Sequence, residues 1–147
     1  MKSKTVFLGL IICVLFQMSS CKKEQDAIKV GIFNGLPPEI DGCACYFSRN
    51  EKEFKSKKYI LADDYLNNAY IIINDEKNTL KNVGAAVKAK GNDIHWSKTF
   101  KNEKYEVTIE MFETGEIDET SQQKGVVTIK SVDGNQITET FYGECGC

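Results

Sequence analysis

Four of the cysteines in this 147-residue chain fall into two matching pairs, Cys43-Ala44-Cys45 and Cys145-Gly146-Cys147. Within each pair the sulfurs stand at i and i+2, so in a strand both leave from one face. Three chemistries use such an arrangement. In an oxidising compartment the pairs bond to each other as disulfides. As thiolates they hold Zn²⁺ tetrahedrally or, being soft, Cu(I). As a redox centre they need an exposed thiol of lowered pKa, and the only basic residue close to either pair is Arg49. Zinc ligands usually stand two to four residues apart, and here a single residue intervenes. Disulfides are therefore the leading expectation, with no bound metal and no cofactor.

Four cysteines allow three connectivities. Bonding inside Cys-X-Cys closes a small strained ring and ranks last. Antiparallel segments give Cys43–Cys147 with Cys45–Cys145; parallel segments give Cys43–Cys145 with Cys45–Cys147. Either way the chain end is stapled to its early part around a loop of about 100 residues, for which chain entropy gives roughly 4–5 kcal/mol.

Other reactive residues are few. His95 is the single histidine and sits beside Trp96, the single tryptophan, in a structural or surface position. There is no nucleophile elbow of the form G-x-S-x-G. Phosphate-cradling glycine loops and H-E-x-x-H are also absent. Asp63-Asp64 and Glu116 with Asp118-Glu119 lack EF-hand spacing and read as solvated turns. The chain reads as a non-catalytic protein. Of the aromatics Tyr46, Phe47, Tyr59, Tyr65, Tyr70, Trp96, Phe100 and Tyr105, most are expected in the core and a few at a pocket or an interaction face.

The elements that position the cysteines are strands. Tyr105, Val107, Ile109 and Met111 alternate with Glu106, Thr108 and Glu110, the pattern of a half-buried antiparallel strand. Val126–Lys130 and Gln136–Tyr142 flank Asp133-Gly134, which predicts a hairpin with a type I′ turn. Shorter strands are expected at Ile28–Phe33, Cys43–Phe47, Tyr59–Ala62, Ala69–Ile73, Val83–Lys88 and Ile94–Trp96. Turns are expected at Asn74–Asn78 and Gly91–Asp93, a helical turn at Asp64–Asn67, and a long surface loop at Thr114–Lys124. Leu36-Pro37-Pro38-Glu39 is a loop, because paired prolines cannot join a central ladder. The sum is an all-β, disulfide-stapled domain, a mostly antiparallel meander forming a small barrel or sandwich.

The amino terminus fixes the setting. Lys2 and Lys4 precede an uncharged stretch, Val6–Phe16, too short to span a bilayer, and small residues follow. This is the secretory signal pattern. Met18-Ser19-Ser20-Cys21 resembles the lipobox of bacterial lipoproteins, which implies cleavage before Cys21 and a diacylglycerol thioether on it, usually with acylation of the new terminus. Two or more chains anchor stably where one does not. Lys22-Lys23-Glu24-Gln25-Asp26 reads as a solvated tether and resembles the signal by which some Gram-negative lipoproteins reach the outer surface. The expected organisation is a signal peptide over 1–20, a lipidated tether over 21–27 and one domain over 28–147, at the outer membrane.

The net charge of −2 becomes more negative once Lys2 and Lys4 leave, which argues against a nucleic-acid partner. The expected function is a lipid-anchored binding or interaction module of the envelope. Alternatives are Cu or Zn handling through the Cys-X-Cys pairs, or inhibition of a secreted enzyme. Small periplasmic β-barrel lipoproteins that block lysozyme share this size, anchor and disulfide use, a resemblance of architecture alone. Gly42-Cys43-Ala44-Cys45-Tyr46-Phe47 and the Cys-rich end also resemble exported bacterial proteins, a likeness too short to imply an activity.

Overall fold

Apolar alternation, broken by turn residues, resolves into ten strands and one short helix in the computed structural model, which describes residues 27–90 and 93–147. The signal, Cys21, most of the tether and the Gly91-Asn92 turn lie outside the described residues. Two short strands, β1 (Phe33–Asn34) and β3 (Lys58–Tyr59), pair only with each other. The other eight are β2 (Ala44–Ser48), β4 (Leu61–Asp63), β5 (Asn68–Ile73), β6 (Glu76–Lys90), β7 (Asp93–Lys101), β8 (Tyr105–Ile117), β9 (Thr120–Ser131) and β10 (Gln136–Gly146). Each runs antiparallel to the next along the chain, and β10 returns to pair with β2. The sheet therefore closes into an eight-stranded up-and-down barrel. That seam decides between the two expected architectures, since a sandwich would have left edges.

The inward register carries the core. Phe47, Leu61, Ile71, Leu80, Ile109 and Ile129 are almost fully buried. They fill one half of the bore, as expected for a barrel narrow enough for side chains to occupy. Gly143 on β10 faces this layer; a Cβ there would lie 2.4 Å from Phe47 Cδ1 and 2.5 Å from Tyr46 O. Its absence lets the Phe47 and Phe141 rings meet at 4.5 Å between centroids.

The two ends of the barrel differ. At the end where β5 turns into β6, Asn74 and Asp75 take positive φ (51° and 66°), as a two-residue hairpin turn demands. The incoming chain crosses this end. Val30 bridges to Ile73, Gly31 N donates to Ile72 O, and Arg49 Nη2 donates to Val30 O. Ile28 is buried in the core cluster with Val30 and Ile32 against it, so the segment acts as a plug. It was expected to be a strand over Ile28–Phe33; only an isolated bridge and β1 form, because it lies across the barrel end and not along a neighbour. The opposite end, where the cysteine pairs sit, is the mouth.

Three further expectations are corrected. The hairpin between β9 and β10 closes through Val132-Asp133-Gly134, with Ser131 N donating to Asn135 O, and only Gly134 has positive φ; it is not a two-residue type I′ turn. Thr114–Lys124 is no loop: β8 and β9 continue through it, and the turn is Asp118-Glu119 alone. These strands run past the core, so both faces stay polar and alternation vanishes while the ladder persists. The helix α1 (Glu51–Lys55) was not foreseen, although Asn50 caps it by accepting from Glu53 N at 2.9 Å. Asn-x-x-Glu ahead of a short polar run was the available sign.

The cysteine pairs form the antiparallel ladder. Cys45 and Cys145 are direct cross-strand partners, and the bridges are Cys43–Cys147 and Cys45–Cys145, separated by 104 and 100 residues. Both close nearly the same loop, so their entropic contributions overlap. Replacing all four cysteines with Ser is expected to cost about 4–5 kcal/mol in urea unfolding, whereas replacing either pair alone should cost a small part of that. Single-pair variants each as unstable as the fourfold variant would show that loop closure is not what the ladder supplies.

Candidate functional site

Alternation along β7 places Trp96, Lys98 and Phe100 on the inner face, in step with Met111, Ile109 and Val107 of β8. Phe100 belongs to the core, but Lys98 lies one step nearer the mouth. Its ammonium crosses the bore to Asp63 on β4, donating to Oδ1 at 3.1 Å and Oδ2 at 3.2 Å. The Asp63 side chain is fully buried and that of Lys98 is 14% exposed. Asp63 also accepts from Tyr65 N at 2.9 Å, and Lys98 Nζ lies 3.9 Å from Cys45 Sγ. This pair forms a polar layer above the apolar one. Asp63 is thus not the solvated turn residue expected; only Asp64 is.

Asp64 ties the turn that follows. Its Oδ1 accepts from the amides of Leu66, Asn67 and Asn68. Partial burial pushes its carboxyl up, but the hydrogen bonds from Asn68, Asn67 and Leu66 outweigh that and hold it below the ordinary range. The turn so fixed sets Tyr65 at φ 63° with its ring over the Lys98 ammonium, 4.9 Å from the centroid. Burial, then the charges of Asp63 and Glu113, push the Tyr65 phenol up. For Asp63, burial raises the carboxyl above its ordinary value of 3.8 despite the opposing charge and hydrogen bonds of Lys98.

Above the polar layer lies a cavity of about 300 Å³. Its wall includes Trp96, Met111, Gln123 and the inner disulfide, Cys45–Cys145. It opens through a wider vestibule of about 680 Å³ with which it shares Tyr65, Glu113, Ser121 and Cys145. The outer disulfide, Cys43–Cys147, frames that vestibule. The four sequence-predicted cysteines are therefore brought together as two rungs of one cavity wall. Predicted lipid carrier Cys21 lies outside the described residues.

Gln123 is 3% exposed and sits between Ser121 and the core valines and isoleucines of β9. Ser121 Oγ donates to Cys145 O, which leaves its oxygen to accept from Gln123 Nε2 at 2.9 Å. That order orients the amide, and Gln123 Oε1 is left buried with no hydrogen-bond partner. Around the vestibule stand Asp41, Asp64, Glu113, Glu116, Asp118 and Glu119, with no Lys, Arg or His lining it among the described residues. Of the two acidic stretches read separately along the chain, Asp64 from the first and Glu116, Asp118 and Glu119 from the second meet here because both turns lie at the same end, while Asp63 points down to Lys98.

His95 points away from this site. It stacks on Phe112 across the β7–β8 pair, ring centroids 4.2 Å apart, on the outer wall. Lys98, Ser121 and Gln123 were not singled out from the sequence. The signal was present: each polar residue falls in step with apolar inward positions, Lys98 between Trp96 and Phe100, Gln123 two steps before Val127. No protein-family model, no curated protein and no solved structure matches this chain. The fold and the cavity stand on their own geometry: an eight-stranded barrel plugged at one end and open at the other.

Lys98→Met strands a buried carboxylate and is expected to cost about 3–5 kcal/mol, most of it recovered when Asp63→Asn is added; urea midpoints measure both. The pH dependence has a defined sign. Because burial raises Asp63 in the fold, the folded chain keeps a proton that the unfolded chain releases. The stability from this group is therefore present at low pH and lost as pH rises through the raised value. Relative to Asp63→Asn, the wild type should gain stability on acidification toward pH 3.8. A relative loss would mean that the pair, and not burial, sets this carboxyl.

Proposed function

We propose that this protein is a lipid-anchored, non-catalytic binding module of the bacterial cell envelope, which takes a small ligand into its barrel through the disulfide-framed mouth. The observation that carries the reading is the cavity above the Asp63–Lys98 layer, walled by Trp96 and Met111 and open to solvent at one end only. Cavities of this size, mostly apolar with a few fixed polar groups, are the usual form of a small-molecule site. The cysteine sulfurs at the mouth are engaged in disulfides and the single histidine lies on the outer wall, which supports a binding surface over a thiol or histidine-based centre.

Geometry also supports the anchored orientation. Residue 27 enters at the plugged end, opposite the mouth. Six peptide steps from Cys21 reach at most about 20 Å. Lipid on Cys21 would hold the plugged end near the bilayer and turn the mouth away from it, toward solution.

One second reading has an observation in its favour. The hairpin that turns at Asp118-Glu119 extends β8 and β9 beyond the core and carries Glu116, Asp118 and Glu119. Such a projection suits the cleft of a basic secreted enzyme, and absence of any lysozyme inhibition by the purified protein would remove that reading's named target. Metal handling requires the disulfides to be opened first and is not the better account of the oxidised protein.

The binding reading is tested with N-phenyl-1-naphthylamine, a weakly basic, neutral apolar fluorophore. Since Trp96 is the only tryptophan, energy transfer from it reports occupancy of the cavity. Saturable transfer is expected, lost on Ser121→Phe, which fills the cavity from β9 and adds no second tryptophan; probe binding that Ser121→Phe leaves intact would place the site elsewhere. The anchor is tested by Cys21→Ser, which should move the protein from the membrane fraction to the soluble envelope fraction. A variant that stays with the membrane would end the lipoprotein reading.

A further inference from the structure

We infer that the ligand is a small organic cation: an amine whose ammonium N–H reaches Gln123 Oε1 while its apolar part lies against Trp96 and Met111. The inference rests on the binding reading above and gives that same cavity a substrate class.

Two independent observations converge on it. The first is Gln123 itself. A buried amide oxygen without a partner costs about 1–3 kcal/mol, and the orientation imposed by Ser121 and Cys145 O leaves it no donor among the described residues. Gln123 lines the cavity, so a ligand that enters and turns the end of the amide toward it can supply the donor. The site asks for an N–H or O–H, and it has no use for a further acceptor.

The second is the field above it. The carboxylates of Asp41, Asp64, Glu113, Glu116, Asp118 and Glu119 line the way in, and none forms an ion pair among the described residues. A concave opening lined by one sign of charge concentrates the opposite ion and speeds its arrival. Lys98, the one cation lining the cavity among the described residues, is already committed to Asp63 and lies under the Tyr65 ring. It therefore gives an anion little attraction, while Glu113, which borders both vestibule and cavity, remains available to an ammonium.

The apolar wall separates an organic cation from a metal ion. Trp96, 39% exposed, and Met111 offer carbon and sulfur surface beside the orphan oxygen, which a hydrated metal ion cannot use. No group of three or more His, Cys, Asp or Glu residues among those described is placed to hold a metal. A planar or short-chain body with one protonated nitrogen uses every part of the site: the carboxylates on approach, Gln123 at the end, Trp96 alongside.

The test uses three matched probes on the lipidated protein in detergent: 2-phenylethylammonium, 2-phenylethanol and 3-phenylpropionate, read by Trp96 fluorescence. The ammonium should bind about tenfold or more tighter than the alcohol, with the carboxylate weakest. Its affinity should fall as salt rises. Gln123→Leu removes the acceptor without burying a new polar group. It should cut ammonium affinity about tenfold and alcohol affinity by clearly less, because the charged donor makes the stronger hydrogen bond. Glu113→Gln should weaken the ammonium and flatten its salt dependence. Alcohol and ammonium binding alike, in wild type and in Gln123→Leu, would overturn the cation while the naphthylamine result still upheld the cavity. Calcium displacing the ammonium one for one would overturn it too, by giving the mouth to a metal. Failure of all three probes together with the naphthylamine would remove both readings at once.

Discussion

Pairing between β2 and β10 leaves the sheet without an edge, and most of what distinguishes this molecule depends on that seam. An antiparallel meander of eight strands can stay open, fold over as a sandwich, or close. Here the last strand lies in register against the first strand of the barrel, from Gly146 opposite Ala44 to Tyr142 opposite Ser48. The same register puts Cys145 opposite Cys45 and carries Cys147 to Cys43. Two covalent rungs thus stand at the end of the bore where hydrogen bonding runs out. The far end is held differently, by Ile28, Val30 and Ile32 packing across it and by Arg49 on Val30 O and Glu139.

Closure makes an inside, and its filling is uneven along the axis. Near the plug the inward positions are mostly large and apolar, with Asn78 a buried polar residue among them. One layer up, Asp63 and Lys98 meet across the bore, and above them the walls diverge from contact into a cavity. A buried ion pair is weak support for stability, since desolvation offsets much of its attraction. Its position gives it another consequence. Both ends of Lys98 are fixed, by β7 at the backbone and by Asp63 at the ammonium, so the floor of the cavity keeps its height and its polarity. The turn that follows Asp63 extends the arrangement upward, since the hydrogen bonds to Asp64 set the conformation in which Tyr65 covers the ammonium.

The mouth collects groups that the chain keeps far apart. Asp41 precedes β2, Asp64 follows β4, Glu113 to Glu119 ride on one hairpin, and the second cysteine pair ends the chain. In an up-and-down barrel every second connection falls at the same end, so alternate turns become neighbours whatever their spacing in sequence. An acidic vestibule is the result. None of these carboxylates needed to be near another for folding, and among the described residues that line the opening the charged side chains are all acidic.

Much of this was legible in the residues alone, and the boundary has a physical cause. Period-two alternation in Tyr105–Met111 and Val126–Lys130, the polar turn after Ile73 and the matched Cys-X-Cys pairs are local facts, and they specified an antiparallel β protein stapled end to start. Local patterns also carried the inward slots of Lys98 and Gln123, although a charged or amide residue in an apolar stripe announces only that a partner is needed. Which partner answers is a non-local matter. Closure of β10 on β2 selected the barrel and the antiparallel rungs. The bore brought Asp63 to Lys98 across two intervening strands and buried a residue that its own neighbours mark as a turn. Where β8 and β9 outrun the core, the ladder persisted without any alternation to reveal it, because cross-strand hydrogen bonds do not depend on side-chain type. Residue types and their local periods set most of the strands and the chemistry they carry; which faces look inward on the same space follows from closure, since that depends on how far around the barrel two residues stand and not on how far apart they lie along the chain.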